Sequence, residues 1–216
     1  MKPILFNTEM VRAILEGRKT ATWRDPFQMP ADYDRIKGLY RDGSGRLCAI
    51  FQCTNPDDPT IEEVRARCQP GDILWVRETW GMASDLLGAV PGPVYRADYT
   101  EEELRGLREK RYRWLPSIHM PKEAARIFLR VTVARVERLR DMVLGDVLME
   151  GILEADTYEG TWDRWHAAWD RTIRPADRAR YGWEANPWVW VIGFERINRK
   201  AALAAEKGDS NGKTER

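Results

Sequence analysis

The sequence predicts an α+β fold organised as a small mixed β-barrel with flanking helices and several loop insertions, and three observations carry that expectation. β-rich or period-2 runs are spread along the chain, at 4–6, 20–24, 47–52, 73–77, 94–96, 127–138 and 188–197. These runs bracket a few helical segments instead of alternating with them, which argues against repeated βαβ units. With 216 residues, 43% hydrophobic and 32% charged, the chain has enough apolar material for one good core but not comfortably for two. One domain is expected.

The elements follow in order. Residues 8–16 place Met10, Val11, Ile14 and Leu15 on one side of a short helix, which Asn7 or Thr8 caps and which Gly17, suited to a left-handed residue, ends. In the strand that follows, Thr20, Thr22 and Arg24 share one face while Ala21 and Trp23 share the other. Stretches rich in Pro, Gly and Asp at 25–45 and 55–71 are read as irregular, as is a third at 83–117. Within the third, 101–114 runs from acidic to basic. It is read as a solvated helical insertion held by Glu-to-Arg pairs, the alternative being an Arg and Trp contact for a strand of RNA. Helices are expected at 146–152 and 161–173, the second with Trp162, Trp165 and Trp169 on one face as a packing stripe. The tail from Lys200 to Arg216 is read as a frayed helix end followed by disorder.

Charge and cysteine usage exclude several classes. Lys plus Arg total 35 against 34 Asp plus Glu, so a net charge of +1 gives no general attraction to polyanions. Any nucleic-acid contact must come from a local patch, and a broad duplex binder is excluded. Cys48, Cys53 and Cys68 form no C-x-x-C pair, and His119 and His166 are the only histidines, which is poor metal-site spacing. Reduced, buried thiols in a cytoplasmic protein are expected, with no metal and no cofactor. The apolar start, residues 3–6, is too short for a signal peptide or a membrane span, so no membrane association is expected.

The polar segment Gly17-x-Lys19-x-x-Thr22-x-Arg24 resembles the signature of the ASCH domain family, a branch of the PUA-like β-barrels. Further matches follow in order: Gly71 to Glu78, Ile127 to Leu139, Asp146 to Gly151, and Asn186 to Glu195. The resemblance spans about residues 2–198 and is greatest to the longer, phage-associated members. It implies a PUA-like domain over 1–199 with insertions at about 25–70 and 83–117.

A threonine hydroxyl is a weak nucleophile until a base takes its proton, and a lysine is such a base only when burial or a cationic neighbour lowers its pKa. Arg24, on the face of Thr22, is that neighbour, and Glu150 would complete a proton relay. The ordinary alternative is a Lys19–Glu150 ion pair that ties a turn to a helix. Small ASCH members are amidohydrolases that remove the acetyl group of N(4)-acetylcytidine, and their catalytic residues match Lys19, Thr22 and Glu150. Carried over, Thr22 is the nucleophile, Lys19 its activator and Glu150 the proton shuttle, with Arg24 holding the pyrimidine or stabilising charge. Trp23, Trp75, Arg77 and Glu78 lie in the matched motifs and are read as substrate-binding, with one tryptophan stacking on a base. The implied ligand is a nucleoside or single-stranded RNA. This chain is longer than those small enzymes, and its insertions would reshape the pocket. The resemblance equally implies a non-catalytic module binding RNA or a modified base, and, third, a ribonuclease.

Overall fold

The protein is described here by a computed structural model covering residues 1–24, 35–53, 55, 57, 60–83, 91–153 and 155–211. Its strands are β1 (Lys2–Leu5), β2 (Ala21–Arg24), β3 (Arg35–Arg41), β4 (Leu47–Gln52), β5 (Ile61–Arg65), β6 (Ile73–Arg77), β7 (Trp80–Met82), β8 (Pro93–Tyr95), β9 (Phe128–Arg138) and β10 (Trp188–Ile197). The α-helices are α1 (Thr8–Leu15), α2 (Glu101–Glu109), α3 (Leu144–Met149), α4 (Tyr158–Thr172), α5 (Arg178–Tyr181) and α6 (Arg199–Asn211). The fold is mixed α+β with its strands in several sheets. The chain divides into two compact units, Met1–Arg18 with Asp72–Arg130 and Glu195–Arg216, and Lys19–Gly71 with Val131–Phe194.

In the first unit β1 lies parallel to β6, and the start of β9 runs antiparallel to β6, with Trp75 opposite Phe128. Asn7 caps α1 by accepting the Met10 amide at 2.8 Å, and Gly17 at φ +78° ends the helix in the left-handed region that glycine tolerates best. The core gathers Ile73, Trp75, Trp80, Met120, Phe128 and Ala202. α2 opens with a capping box in which Thr100 and Glu103 satisfy each other's backbone amides.

In the second unit β2 pairs antiparallel with β10, and β3, β4 and β5 form an antiparallel meander whose register shifts between Ile36 and Gly38. One cluster joins Ala21, Trp23, Leu139, Val147, Trp165, Trp169 and Val191, and a second joins Ala49, Phe51, Val64 and Trp190. Trp165 and Trp169 of the expected stripe are 2% and 4% exposed, and Trp162 packs beside them, so the stripe is core. Cys48, Cys53 and Cys68 are buried and form no disulfide among the described residues.

Two strands fall in stretches expected to be irregular. In β3 the half-buried positions are Ile36, Gly38 and Tyr40, while Arg35, Lys37, Leu39 and Arg41 are exposed. A glycine inward and a leucine outward blur the period-2 signal, and pairing with β4 supplies what propensity lacks. The same holds for β5, where only Val64 is buried. The helix read at 101–114 is α2, whereas residues 25–34 and 84–90 lie outside the described residues. The tail begins as α6, and 212–216 also lie outside them. Among the described residues no helix is long and apolar enough to cross a membrane.

Candidate active site

The polar cluster belongs wholly to the second unit and is fixed by backbone geometry on two sides. The Thr20 amide donates to the Met149 carbonyl at 2.9 Å, and the Thr20 carbonyl accepts the Phe194 amide at 2.8 Å. From there β2 runs against β10 with Thr22 opposite Ile192, so the hydroxyl has a set position. On the other side α3 is short: the Asp146 carboxylate accepts the Val143 amide at 3.0 Å at its start, and Glu150 caps its end. Gly151 follows at φ +86°, and its amide returns to the Leu148 carbonyl at 2.9 Å. Any side chain there would be strained, so this glycine sets the turn that aims Glu150 at β2.

Glu150 is the hub. Its Oε1 accepts the Trp23 amide at 2.7 Å and the Thr22 hydroxyl at 3.2 Å, while its Oε2 accepts the Lys19 ammonium. Lys19 Nζ also donates to the Ala21 carbonyl at 2.8 Å and the Glu150 carbonyl at 3.0 Å, which occupies the three donors an ammonium has. Lys19, Thr22 and Glu150 are 2%, 1% and 3% exposed. Charges so far from water interact strongly and are costly to leave unpaired.

Burial lowers the Lys19 pKa, the pull of Glu150 opposes it, and the nearby Arg24 guanidinium adds to the lowering. Arg24 is itself pulled down by burial, with Glu150 and Cys68 opposing and Arg67 adding. A guanidinium nevertheless stays protonated in proteins, so Arg24 keeps its charge within reach of Glu150. Thr22 meets Glu150 directly, and among the described residues Lys19 reaches Thr22 through Glu150.

The remaining sequence-selected residues are each engaged in packing or hydrogen bonds. Trp23 is 3% exposed, lies edge-on to Trp165 with ring centroids 6.5 Å apart, and donates its indole N–H to Glu137 at 2.7 Å. It is a core residue whose amide, more than its ring, serves the site. Trp75, Arg77 and Glu78 belong to the first unit and have partners there. Trp75 is in that unit's core, with the Arg77 guanidinium 5.3 Å from its ring centroid, and Arg77 donates to the Met120 and Ile118 carbonyls. Glu78, 1% exposed, takes two hydrogen bonds from Arg126 at 2.9 and 3.0 Å, and burial raises its pKa against the pull of that arginine. The amide of Trp23 and the carbonyl of Ala21 carry no signal in a sequence, because every residue has them.

One group of possible metal ligands occurs among the described residues: atoms of Asp42, Cys48 and Glu63 lie within 4.8 Å of one another. They come from a turn and two neighbouring strands, so linear spacing gives no hint of them. Their donors are already engaged, since Arg65 reaches Asp42 at 3.6 Å and Glu63 at 3.5 Å, Ser44 and Arg46 amides bind Asp42, and the Tyr40 hydroxyl binds Glu63. Burial pushes the Cys48 thiol up, away from the thiolate a metal needs.

No family model, no curated protein and no solved structure matches this chain.

Proposed function

We propose that the protein is an ASCH-type, PUA-like barrel protein acting on a modified nucleoside or RNA, as a metal-independent amidohydrolase that removes the acyl group of an N4-acylated cytidine. The observation that carries the reading is the 3.2 Å hydrogen bond from the Thr22 hydroxyl to Glu150 Oε1, inside a buried cluster whose carboxylate also holds the Lys19 ammonium. It supplies the nucleophile–base contact that acyl transfer needs.

The reaction runs in two halves. Thr22 Oγ1 attacks the acyl carbon while its proton passes to Glu150 Oε1, and charge developing on the carbonyl oxygen is stabilised by Arg24. The C–N bond breaks as Glu150 returns the proton to the departing amine, leaving an acyl ester on Thr22. Water then attacks that ester, gives one proton to Glu150, and releases the carboxylic acid as Oγ1 regains a proton. Lys19 acts through the carboxylate it holds, so its activating role is indirect.

The burial of all three residues suits a structural tie between β2 and α3, and with it a second reading in which the protein is a non-catalytic module that binds RNA or a modified base. Purified protein incubated with N(4)-acetylcytidine separates the two. Hydrolysis predicts acetate release without added metal, abolished in Thr22→Ala while nucleoside binding persists, because removing a nucleophile leaves ground-state contacts in place. Absence of acetate release from any N-acylated cytidine, with salt-sensitive RNA binding weakened in Arg24→Ala, establishes the binding module instead.

A further inference from the structure

We propose that the first unit carries a separate site for the phosphate group of a nucleotide or single-stranded nucleic acid, in the cavity of about 130 Å³ lined by Arg96, Leu104, Arg108, Tyr112 and Trp114. The site lies within one unit and goes beyond the acyl-transfer reading, since free nucleosides have no phosphate.

The surrounding framework holds these side chains in place. Arg12 donates to the Ala97 and Tyr99 carbonyls at 3.1 and 2.6 Å, fixing the backbone on either side of Asp98. The Thr100–Glu103 capping box starts α2, which presents Leu104 and Arg108 one turn apart. Arg111, at φ +57°, turns the chain so that Tyr112 and Trp114 follow. The Tyr112 hydroxyl donates to the Met82 carbonyl at 3.2 Å and lies where a Cβ on Gly81 would be, so a side chain there would displace it. Trp114 is braced edge-on by Tyr112 at 5.0 Å and Tyr99 at 5.4 Å.

The chemistry of the lining selects the ligand. Neither Arg96 nor Arg108 has an ion-pair or side-chain hydrogen-bond partner among the described residues, although Asp98 and Glu101 nearby do, to Arg126 and Arg12. Arg96 and Arg108 both line this cavity, and an anion held in it would meet two cationic side chains whose forked donors suit a phosphate. At about 30 Å³ per water the cavity has room for roughly four waters, hence for one compact group and not a whole nucleotide. Tyr112 and Trp114 at its edge offer an aromatic surface to the base that such a phosphate carries. The sequence run 101–114, with its arginines and tryptophan, thus has two roles: a capped helix and, at its end, one wall of an anion site.

Binding of inorganic phosphate, cytidine monophosphate and a 12-nucleotide single-stranded RNA is measured by calorimetry for the wild type, Arg108→Gln and Arg96→Gln/Arg108→Gln. Both arginines are at least partly exposed, and circular dichroism checks that the variants fold. The expected result is that Arg108→Gln weakens at least one phosphate-bearing ligand about tenfold and the double variant weakens it further, the slope of affinity against salt for RNA falling by about 0.7 per arginine. Which of the three ligands binds most tightly identifies the source of the phosphate. Wild-type binding to none of them, or binding that the double variant leaves unchanged, overturns the site. Acetate release from the free nucleoside should be intact in Arg108→Gln, so loss of this site and loss of the acyl-transfer reading are distinguishable.

Discussion

Glu150, which caps the end of a short helix, accepts the Thr22 hydroxyl at 3.2 Å and the Trp23 amide at 2.7 Å through the same oxygen, Oε1. The backbone amide thereby fixes the carboxylate against the very strand that carries the hydroxyl. With Oε2 held by Lys19, the group has little rotational freedom left, which is the preorganisation that proton transfer in a site requires.

The Lys19–Glu150 pair is expected to be costly to break singly. Glu150→Gln leaves a buried ammonium without its counter-charge, and we expect a loss of about 3–5 kcal/mol in unfolding free energy from urea denaturation. Pairing it with Lys19→Met should recover a substantial part, giving a coupling of order 1–3 kcal/mol. Additive losses would show that the two side chains do not interact as described.

Alkaline stability should report the burial of Lys19. Its folded pKa lies below the ordinary lysine value of 10.5, so as pH rises toward that value the folded protein releases a proton that the unfolded chain still holds. Stability then rises with pH through that window relative to a protein lacking the group. Chemical denaturation at intervals from pH 7 to 10 should show the gap between the wild type and Lys19→Met shifting in favour of the wild type; a constant gap contradicts the lowered pKa.

His166 should make stability sensitive to acid. Its ring stacks on Trp183 with centroids 4.0 Å apart, its Nε2 is buried with no hydrogen-bond partner among the described residues, and burial lowers its pKa against the opposing pull of Asp163, Glu184 and Asp170, with Arg140 adding to the lowering. Below the ordinary value of 6.5 the unfolded chain therefore binds a proton that the folded one resists, and stability falls as pH drops. His166→Phe should flatten the fall in Tm between pH 6.5 and pH 5. An unchanged slope would mean that the ring already protonates freely in the folded state.

Trp165→Ala should cost about 3–5 kcal/mol, because the indole is 2% exposed and contacts Trp23 and Trp169 at centroid distances of 6.5 and 5.8 Å. A loss under about 1 kcal/mol, read from the same urea titration, would remove the stripe from the core. Because Trp23 carries the amide that holds Glu150, we also expect acyl-transfer activity, where present, to fall with the packing.

Much of the layout was legible before any coordinates. Leu47–Gln52, Ile73–Arg77 and Trp188–Ile197 stand at the expected bounds because dense β-branched and aromatic runs mark strands locally. Asn7 and Gly17 bounded the first helix for equally local reasons, a side-chain acceptor at one end and freedom at positive φ at the other. β3 and β5 were not legible, since their charged and glycine-containing sequences become strands only when β4 lies between them to take their hydrogen bonds. The Asp42, Cys48 and Glu63 group was hidden for the same reason.

The sequence by itself placed Trp162, Trp165 and Trp169 on one helix face and left only a local patch to attract an anion, while its resemblance to the ASCH signature singled out Lys19, Thr22 and Glu150. Only the tertiary structure decided who touches whom. A strand and a helix end 128 residues apart in the chain meet so that Thr22 faces Glu150, Lys19 stands behind the carboxylate, and Trp23 turns its ring inward while giving its amide to the site. Contacts of that kind depend on backbone groups common to all residues and on distances set by packing, and neither is written in residue type or spacing.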